Sequence, residues 1–409
     1  MTALRRTVSG PPVRIAHVGL GAFFRAHPAW YTAEAPDAAE WGIAAFTGRS
    51  PDAAVALNRQ DGLYHVLTRS ASGDTVALIE SISTAYDGND EAAWARTFTL
   101  PDLAVVTLTV TEAGYRAGAP VHERLLAALS ARRAAGLGPI AIVPCDNLPG
   151  NGPLLGSVLA ARADDGLHEW LAQNVSYVAT VVDRITPATT DDVRDTVLRL
   201  TGTDDAMPVV TEPFTEWVLA GEFPAGRPAW AATFVDEVGP YENRKLWMLN
   251  AAHSLLAYAG SARGHDTVAQ AIADDDVLER VRGWWDEAGP HVGLPVADYR
   301  EALLARWRNP RIEHRLAQIA ADGSQKLPVR VLPVAQAELA AGREPLAAAG
   351  ILAAWIAHLR GAGAPVTDVR AAEFMRAAAG PVVDAVPRVL QLLAPGADAL
   401  VPIVTRLVT

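Results

Sequence analysis

Val13-Arg14-Ile15-Ala16-His17-Val18-Gly19-Leu20-Gly21-Ala22-Phe23-Phe24-Arg25-Ala26-His27 begins as a short run rich in β-branched residues, breaks at two glycines and continues with helical character. It reads as strand, tight turn and helix, the way a dinucleotide-binding fold opens. Glycines allow the turn and let a pyrophosphate approach the backbone at a helix N-terminus. Gly19 and Gly21 are therefore candidate cofactor contacts, with Phe23 and Arg25 close behind them. Phe24 replaces the third glycine of the usual fingerprint, so the reading rests on the strands that follow.

A second strand over 41–46 ends in Thr47-Gly48-Arg49-Ser50, where such a fold reads the adenosine ribose. A carboxylate there favours NAD and an arginine accommodates a 2′-phosphate. Arg49 thus leaves both NAD and NADP open. After a hairpin expected over 62–68 and 76–83, the run 103–110 suits a strand buried on both faces. Thr111-Glu112-Ala113-Gly114-Tyr115 follows at the end that faces the ligand crevice of an open α/β sheet. A helix near 122–135 leads to a strand over 140–143 that stops at Pro144-Cys145-Asp146-Asn147. Thr111 and Asp146 join the candidate cofactor contacts. A further strand over 178–182 ends in Asp183-Arg184.

From about residue 236 the texture turns helical almost throughout. The chain reads as α/β, with a Rossmann-like dinucleotide-binding domain over 1–235 and a mainly helical domain over 236–409. Helices are expected over 274–287 and 297–308, then over 311–321 behind an Asn309-Pro310 start, and in four alanine-rich stretches between 331 and 393. The first helix of this half holds Glu242, Lys245, Asn250 and His253. At about 100° per residue they share an arc of about 140° on a helix that is apolar nearly all round and predicted to be buried. Desolvation lowers the pKa of a buried lysine and makes it a proton acceptor near neutral pH. The plainer alternative is an interface helix whose lysine reaches water and whose histidine meets a backbone carbonyl.

Composition narrows the partners. The 409 residues are half hydrophobic and carry a net charge of -11, which argues against a nucleic-acid backbone or an anionic membrane and leaves small molecules. The single cysteine excludes an internal disulfide framework and a thiolate zinc site. With no run of about 20 apolar residues and no signal-peptide core, the expectation is a cytoplasmic protein.

Six motifs then occur in order: Gly19-Leu-Gly-Ala-Phe-Phe-Arg-Ala-His27, Thr109-Val-Thr-Glu-Ala-Gly-Tyr115, Cys145-Asp-Asn147, Asp183-Arg-Ile-Thr-Pro187, Lys245 with Asn250 and His253, and Asp322-Gly-Ser-Gln-Lys-Leu-Pro328. Through most of its length the chain resembles the mannitol dehydrogenase family, the polyol-specific long-chain dehydrogenases. The resemblance implies a metal-independent, NAD- or NADP-dependent interconversion of a secondary alcohol and a ketone on an open-chain sugar acid or polyol. It implies Lys245 as general acid and base and Asn250 as the amide that polarises the carbonyl, with Asn147 as a second amide and Asn151 its alternative. It further implies that His253 orients the substrate and holds the lysine, that Glu242 conducts protons to solvent and that Lys326 grips the substrate. Phe24 stands where relatives carry histidine, Gln318 where polyol-oxidising members carry arginine, and 309–330 looks closer to the reductases of uronates. The implied pair is D-mannonate and D-fructuronate. Mannitol and fructose, or another polyol pair, is the alternative, and a non-catalytic nicotinamide-binding sensor a remote one. A sugar acid would need a cation for its carboxylate, and Lys326, Arg330 and Arg315 are candidates.

Overall fold

The computed structural model describes residues 2–116 and 118–408 and divides into two compact units, Met1–Gly239 and Pro240–Thr409. In the first unit six strands pair in parallel: Val13–Val18 (β1), Gly42–Phe46 (β2), Ile82–Tyr86 (β3), Val105–Leu108 (β4), Ile140–Pro144 (β5) and Val175–Tyr177 (β6). Their order across the sheet is β3-β2-β1-β4-β5-β6. The order reverses between β1 and β4, and open α/β sheets hold ligands at that point, beyond the carboxyl ends of the strands. The register sets those ends level. Val18 pairs with Phe46 and Leu108, and Leu108 with Pro144, so Gly19, Thr47, Thr109 and Cys145 leave the sheet along one edge.

Strand residues alternate between two cores, as the two-residue side-chain period requires. Ile15, Ile43, Val105 and Ala141 face one core, and Ala16, Ala44, Val106 and Ile142 the other. Runs that are apolar at every position are the sequence mark of a sheet covered on both faces. The helix Pro120–Ala134 packs on the second core and buries Arg132. That guanidinium donates to the carbonyls of Phe98, Leu100, Leu103 and Gly138 and so satisfies backbone oxygens that no ladder reaches.

Two strand expectations change. The hairpin pairs Tyr64–Ser70 with Gly73–Ile79, and Ile82 with Ser83 belongs to β3, the edge of the parallel sheet. Ala179–Asp183 leaves that sheet and pairs antiparallel with Glu216–Ala220.

The second unit is helical. Asp275–Ala288, Ala297–Trp307, Gly323–Arg330, Leu332–Ala340, Leu346–Leu359, Ala371–Ala377 and Val382–Leu393 are its main α-helices. The helix expected over 311–321 is only Leu316–Ala320. Asn309 does not cap it. Its side-chain oxygen accepts from the Arg311 N–H in a turn over 310–312, and Arg315 forms an antiparallel bridge with Thr267 just before the helix. Among the described residues, no helix is long and apolar enough to cross a membrane.

Gly19 is the position the first unit can least alter. Its φ is +106°, and an added Cβ would lie 2.1 Å from the Thr109 carbonyl oxygen. Gly19→Ala should cost about 2–4 kcal/mol, combining backbone strain with overpacking; chemical denaturation against the parent protein measures it.

Candidate active site

Beyond the carboxyl ends of β1, β2, β4 and β5 the first unit gathers its candidate cofactor residues. Gly21 begins the helix Ala22–Ala26, and a Cβ added there would meet only the Gly19 carbonyl oxygen, at 3.6 Å. Gly48, beside the exposed Arg49, has nothing within 4 Å of an added Cβ. Bare, open backbone at these two turns is what a dinucleotide phosphate and ribose require. Phe23 is half-buried and stacks on His27 with ring centroids 5.0 Å apart.

Thr111 has φ +64°, rare for a β-branched residue. Two hydrogen bonds brace this turn: the Thr111 N–H donates to Asp146 Oδ1 at 2.7 Å, and the Tyr115 hydroxyl donates to Asp146 Oδ2 at 2.8 Å. Burial raises the pKa of the Asp146 carboxyl, against these hydrogen bonds. Asp146 thus ties the end of β4 to the end of β5, and Thr111, exposed and strained, stands where backbone strain commonly marks a ligand.

Other first-unit expectations give way. Arg25 is buried, and its guanidinium donates to the carbonyls of Gly21 and Met207; it holds the turn from behind. Phe24, the departure from the fingerprint, stacks on His17 with centroids 3.5 Å apart. Burial lowers the pKa of His17 to about 3, so the contact is between two uncharged rings. Asn151 is fully buried. Its amide donates to the Asp146 and Thr180 carbonyls and accepts from the Thr180 N–H, which removes it as the second amide and leaves the exposed Asn147.

In the second unit, Glu242 lies in the short helix Gly239–Asn243, and Arg244–Ala251 continues it as a π-helix. Ala252–Leu255 returns to α geometry, and Leu256–Gly260 is again π. The expected uniform, buried α-helix is therefore corrected. Residues 241–247 and Asn250 are half-buried, whereas Met248, Leu249 and 251–260 are buried. Hydrogen bonds that skip five residues make positions five apart neighbours. Lys245 and Asn250, about 140° apart in an α-helix, are brought to the same side of the helix by the wider turn.

Three side chains donate to carbonyls of this π segment. Trp284 Nε1 reaches the Trp247 oxygen and Trp285 Nε1 the Met248 oxygen, both at 2.7 Å. Arg330 Nη1 reaches the Asn250 oxygen and Ser254 Oγ, both at 3.1 Å. Arg330 is one of three candidate cations for the carboxylate of a sugar acid. The structure places it on the helix that carries Lys245. Lys326 is half-buried and donates to the Ile319 carbonyl at 3.3 Å. Arg315 is exposed and pairs with Glu313.

His253 is buried, with centroids 5.2 Å from Trp307 and 4.9 Å from His314. Its Nε2 has no hydrogen-bond partner among the described residues. Burial, with His314, Arg306 and Arg330 adding to it, lowers the His253 pKa well below the ordinary value; burial and Arg306 lower that of His314. Sequence reading missed His314 and the tryptophans, because only the fold brings them to this helix. Among the described residues, no group of three or more His, Cys, Asp or Glu could hold a metal ion.

Both imidazoles are neutral in the folded protein at neutral pH and regain ordinary basicity on unfolding. Below about pH 6.5 the unfolded chain binds more protons. Stability is therefore full above that pH and falls as pH drops through it, by up to about 1.4 kcal/mol per pH unit for each histidine. His253→Gln should flatten the decline in melting temperature between about pH 7 and pH 5; a slope equal to that of the parent protein would contradict a neutral His253.

Comparison with known proteins agrees with this architecture. Residues 13–232 match the mannitol dehydrogenase Rossmann domain, and residues 237–391 the mannitol dehydrogenase C-terminal domain. The chain is 34% identical to D-arabinitol 4-dehydrogenase of Ralstonia nicotianae, over 87% of this chain and 85% of that one. It is 33% identical to D-mannonate oxidoreductase of Escherichia coli, over 89% and 84%. The solved structure of Pseudomonas fluorescens mannitol 2-dehydrogenase in a ternary complex with NAD and D-mannitol superposes with a TM-score of 0.81 at 30% identity, covering 99% of this chain and 93% of that one. The chain belongs to the mannitol dehydrogenase family of oxidoreductases.

Proposed function

We propose that the protein interconverts a secondary alcohol and a ketone on an open-chain sugar acid, with the D-mannonate and D-fructuronate pair as substrate and product. Gly19, Gly21, Phe23, Arg49 and Thr111 hold a nicotinamide dinucleotide, with Asp146 bracing Thr111 from beneath. When bound, the dinucleotide supplies the acceptor or donor of the hydride. Lys245 takes the proton from the substrate hydroxyl in oxidation and returns it to the carbonyl oxygen in reduction. Asn250 donates a hydrogen bond to that oxygen as charge develops on it, and Asn147 is the second amide. His253, kept neutral by burial, orients a substrate hydroxyl through Nε2. Glu242, one turn before Lys245, passes the proton on.

The alignment of Lys245 and Asn250 on one π segment carries this reading. The sugar-acid assignment is supported by the cations near His253, where Arg306 and Arg330 both contribute charge, and by the likeness to a D-mannonate oxidoreductase. Lys326 is the cation we assign to the substrate carboxylate. Likeness to the arabinitol and mannitol enzymes supports a polyol as the second reading.

Initial rates with D-fructuronate and NADH or NADPH, set beside D-mannitol and D-arabinitol with NAD or NADP, separate the two. Turnover of fructuronate is expected, and turnover of a polyol alone would overturn the sugar-acid assignment. Lys245→Ala should lower kcat by about a hundredfold to ten-thousandfold and leave dinucleotide affinity nearly unchanged. Turnover close to that of the parent protein would remove Lys245 from its role.

A further inference from the structure

We propose that Trp284 and Trp285 are positioning residues, whose indole N–H groups hold Arg244–Ala251 in π geometry and thereby keep Lys245 and Asn250 on one side of the helix. The inference rests on the roles proposed above for those two residues.

A π turn is rare. It persists where something outside the helix compensates for the lost α hydrogen-bond pattern, and such turns occur frequently at functional sites. Here the compensation is visible. Consecutive carbonyls, those of Trp247 and Met248, each accept an indole N–H at 2.7 Å. The donors are consecutive residues of one helix, Asp275–Ala288, and both rings are fully buried, at 0% and 1% exposure. A carbonyl that takes a donor from outside tilts off the helix axis and loosens its own intrahelical bond. Two adjacent carbonyls held this way resist a return to α geometry. Arg330 acts on the Asn250 carbonyl in the same sense, but it is only half-buried and its side chain is far more flexible than an indole.

Trp285 also links the π turn to the histidine. Its ring stacks on Trp307 with centroids 5.4 Å apart at 22°, and Trp307 lies 5.2 Å from His253. A ring change at 285 is felt on both sides, so the cleaner deletion removes only the N–H.

The test replaces Trp285 with phenylalanine, and separately with β-(3-benzothienyl)alanine. The second keeps the two-ring shape, exchanges N–H for sulfur and guards against a variant that does not fold. Trp284→Phe is the independent partner. Crystal structures of the variants should show 244–251 relaxed to α geometry, wholly or in part; an unchanged π segment in all three would overturn the holding role, whatever the chemistry. In kinetics, each variant should lower kcat by about tenfold or more, since displacements near 1 Å cost that much at a reacting centre, with the Michaelis constant for the dinucleotide within about twofold of the parent value. Asn250→Ala should then cost less in the Trp285 variant than in the parent protein, because its alignment is already lost. Relaxed geometry with unchanged kcat, or effects that multiply independently, would overturn the positioning role. Full turnover of Lys245→Ala or Asn250→Ala would instead sink the proposed reaction, and leave the holding role to be decided by the crystal structures.

Discussion

A carbonyl oxygen buried away from water must find a donor, and leaving it unmet costs about 1–3 kcal/mol. In this chain many of the donors are long side chains that reach across from neighbouring elements. Arg132 serves four carbonyls under the parallel sheet. Arg25 steadies the glycine turn through the Gly21 carbonyl. Arg184 donates to the Ala26 carbonyl and stacks over Trp30, and burial holds its pKa down to about 10. Trp284, Trp285 and Arg330 do the same for the helix that carries Lys245. Much of the architecture follows from this one requirement.

The same requirement sorts the polar residues into two kinds. Those whose side chains are engaged by backbone, such as Asn151 and Arg25, fix the positions of turns. Others, such as Arg49 and Asn147, lie exposed beyond strand ends. The sorting is not visible in residue type, because an asparagine or an arginine serves equally well in either role. It depends on depth, which only the folded chain defines.

The parallel sheet was legible because its signal is local. Apolar runs that end in glycine or in polar residues name both the strands and the edge where ligands bind. The helical unit was legible as helices for a similar reason. Less local features escaped. Asn309-Pro310 has the chemistry of a helix start, yet the asparagine bonds to Arg311 and the helix begins later, since one side chain cannot both cap a helix and close a turn. The π segment escaped because a window of apolar residues scores alike at 3.6 residues per turn or somewhat more; the donors that select the wider turn lie 37 residues away in sequence. Lys245, Asn250 and His253 were singled out by type and spacing, on a face inferred from α geometry, whereas the structure gives Arg244–Ala251 π geometry.

Seen as a matter of descent, a π turn is an α-helix that has taken in one extra residue. The helix from Arg244 to Gly260 contains two such turns separated by a short α stretch. The wide turn takes up that residue locally, so that the helix beyond it keeps its place. A one-residue deletion inside 244–251 would therefore return the segment to α geometry and leave His253 beside Trp307 and Ser254 on Arg330. Length can thus change here by one residue without disturbing the packing beyond, and what such a change resets is the offset between Lys245 and Asn250.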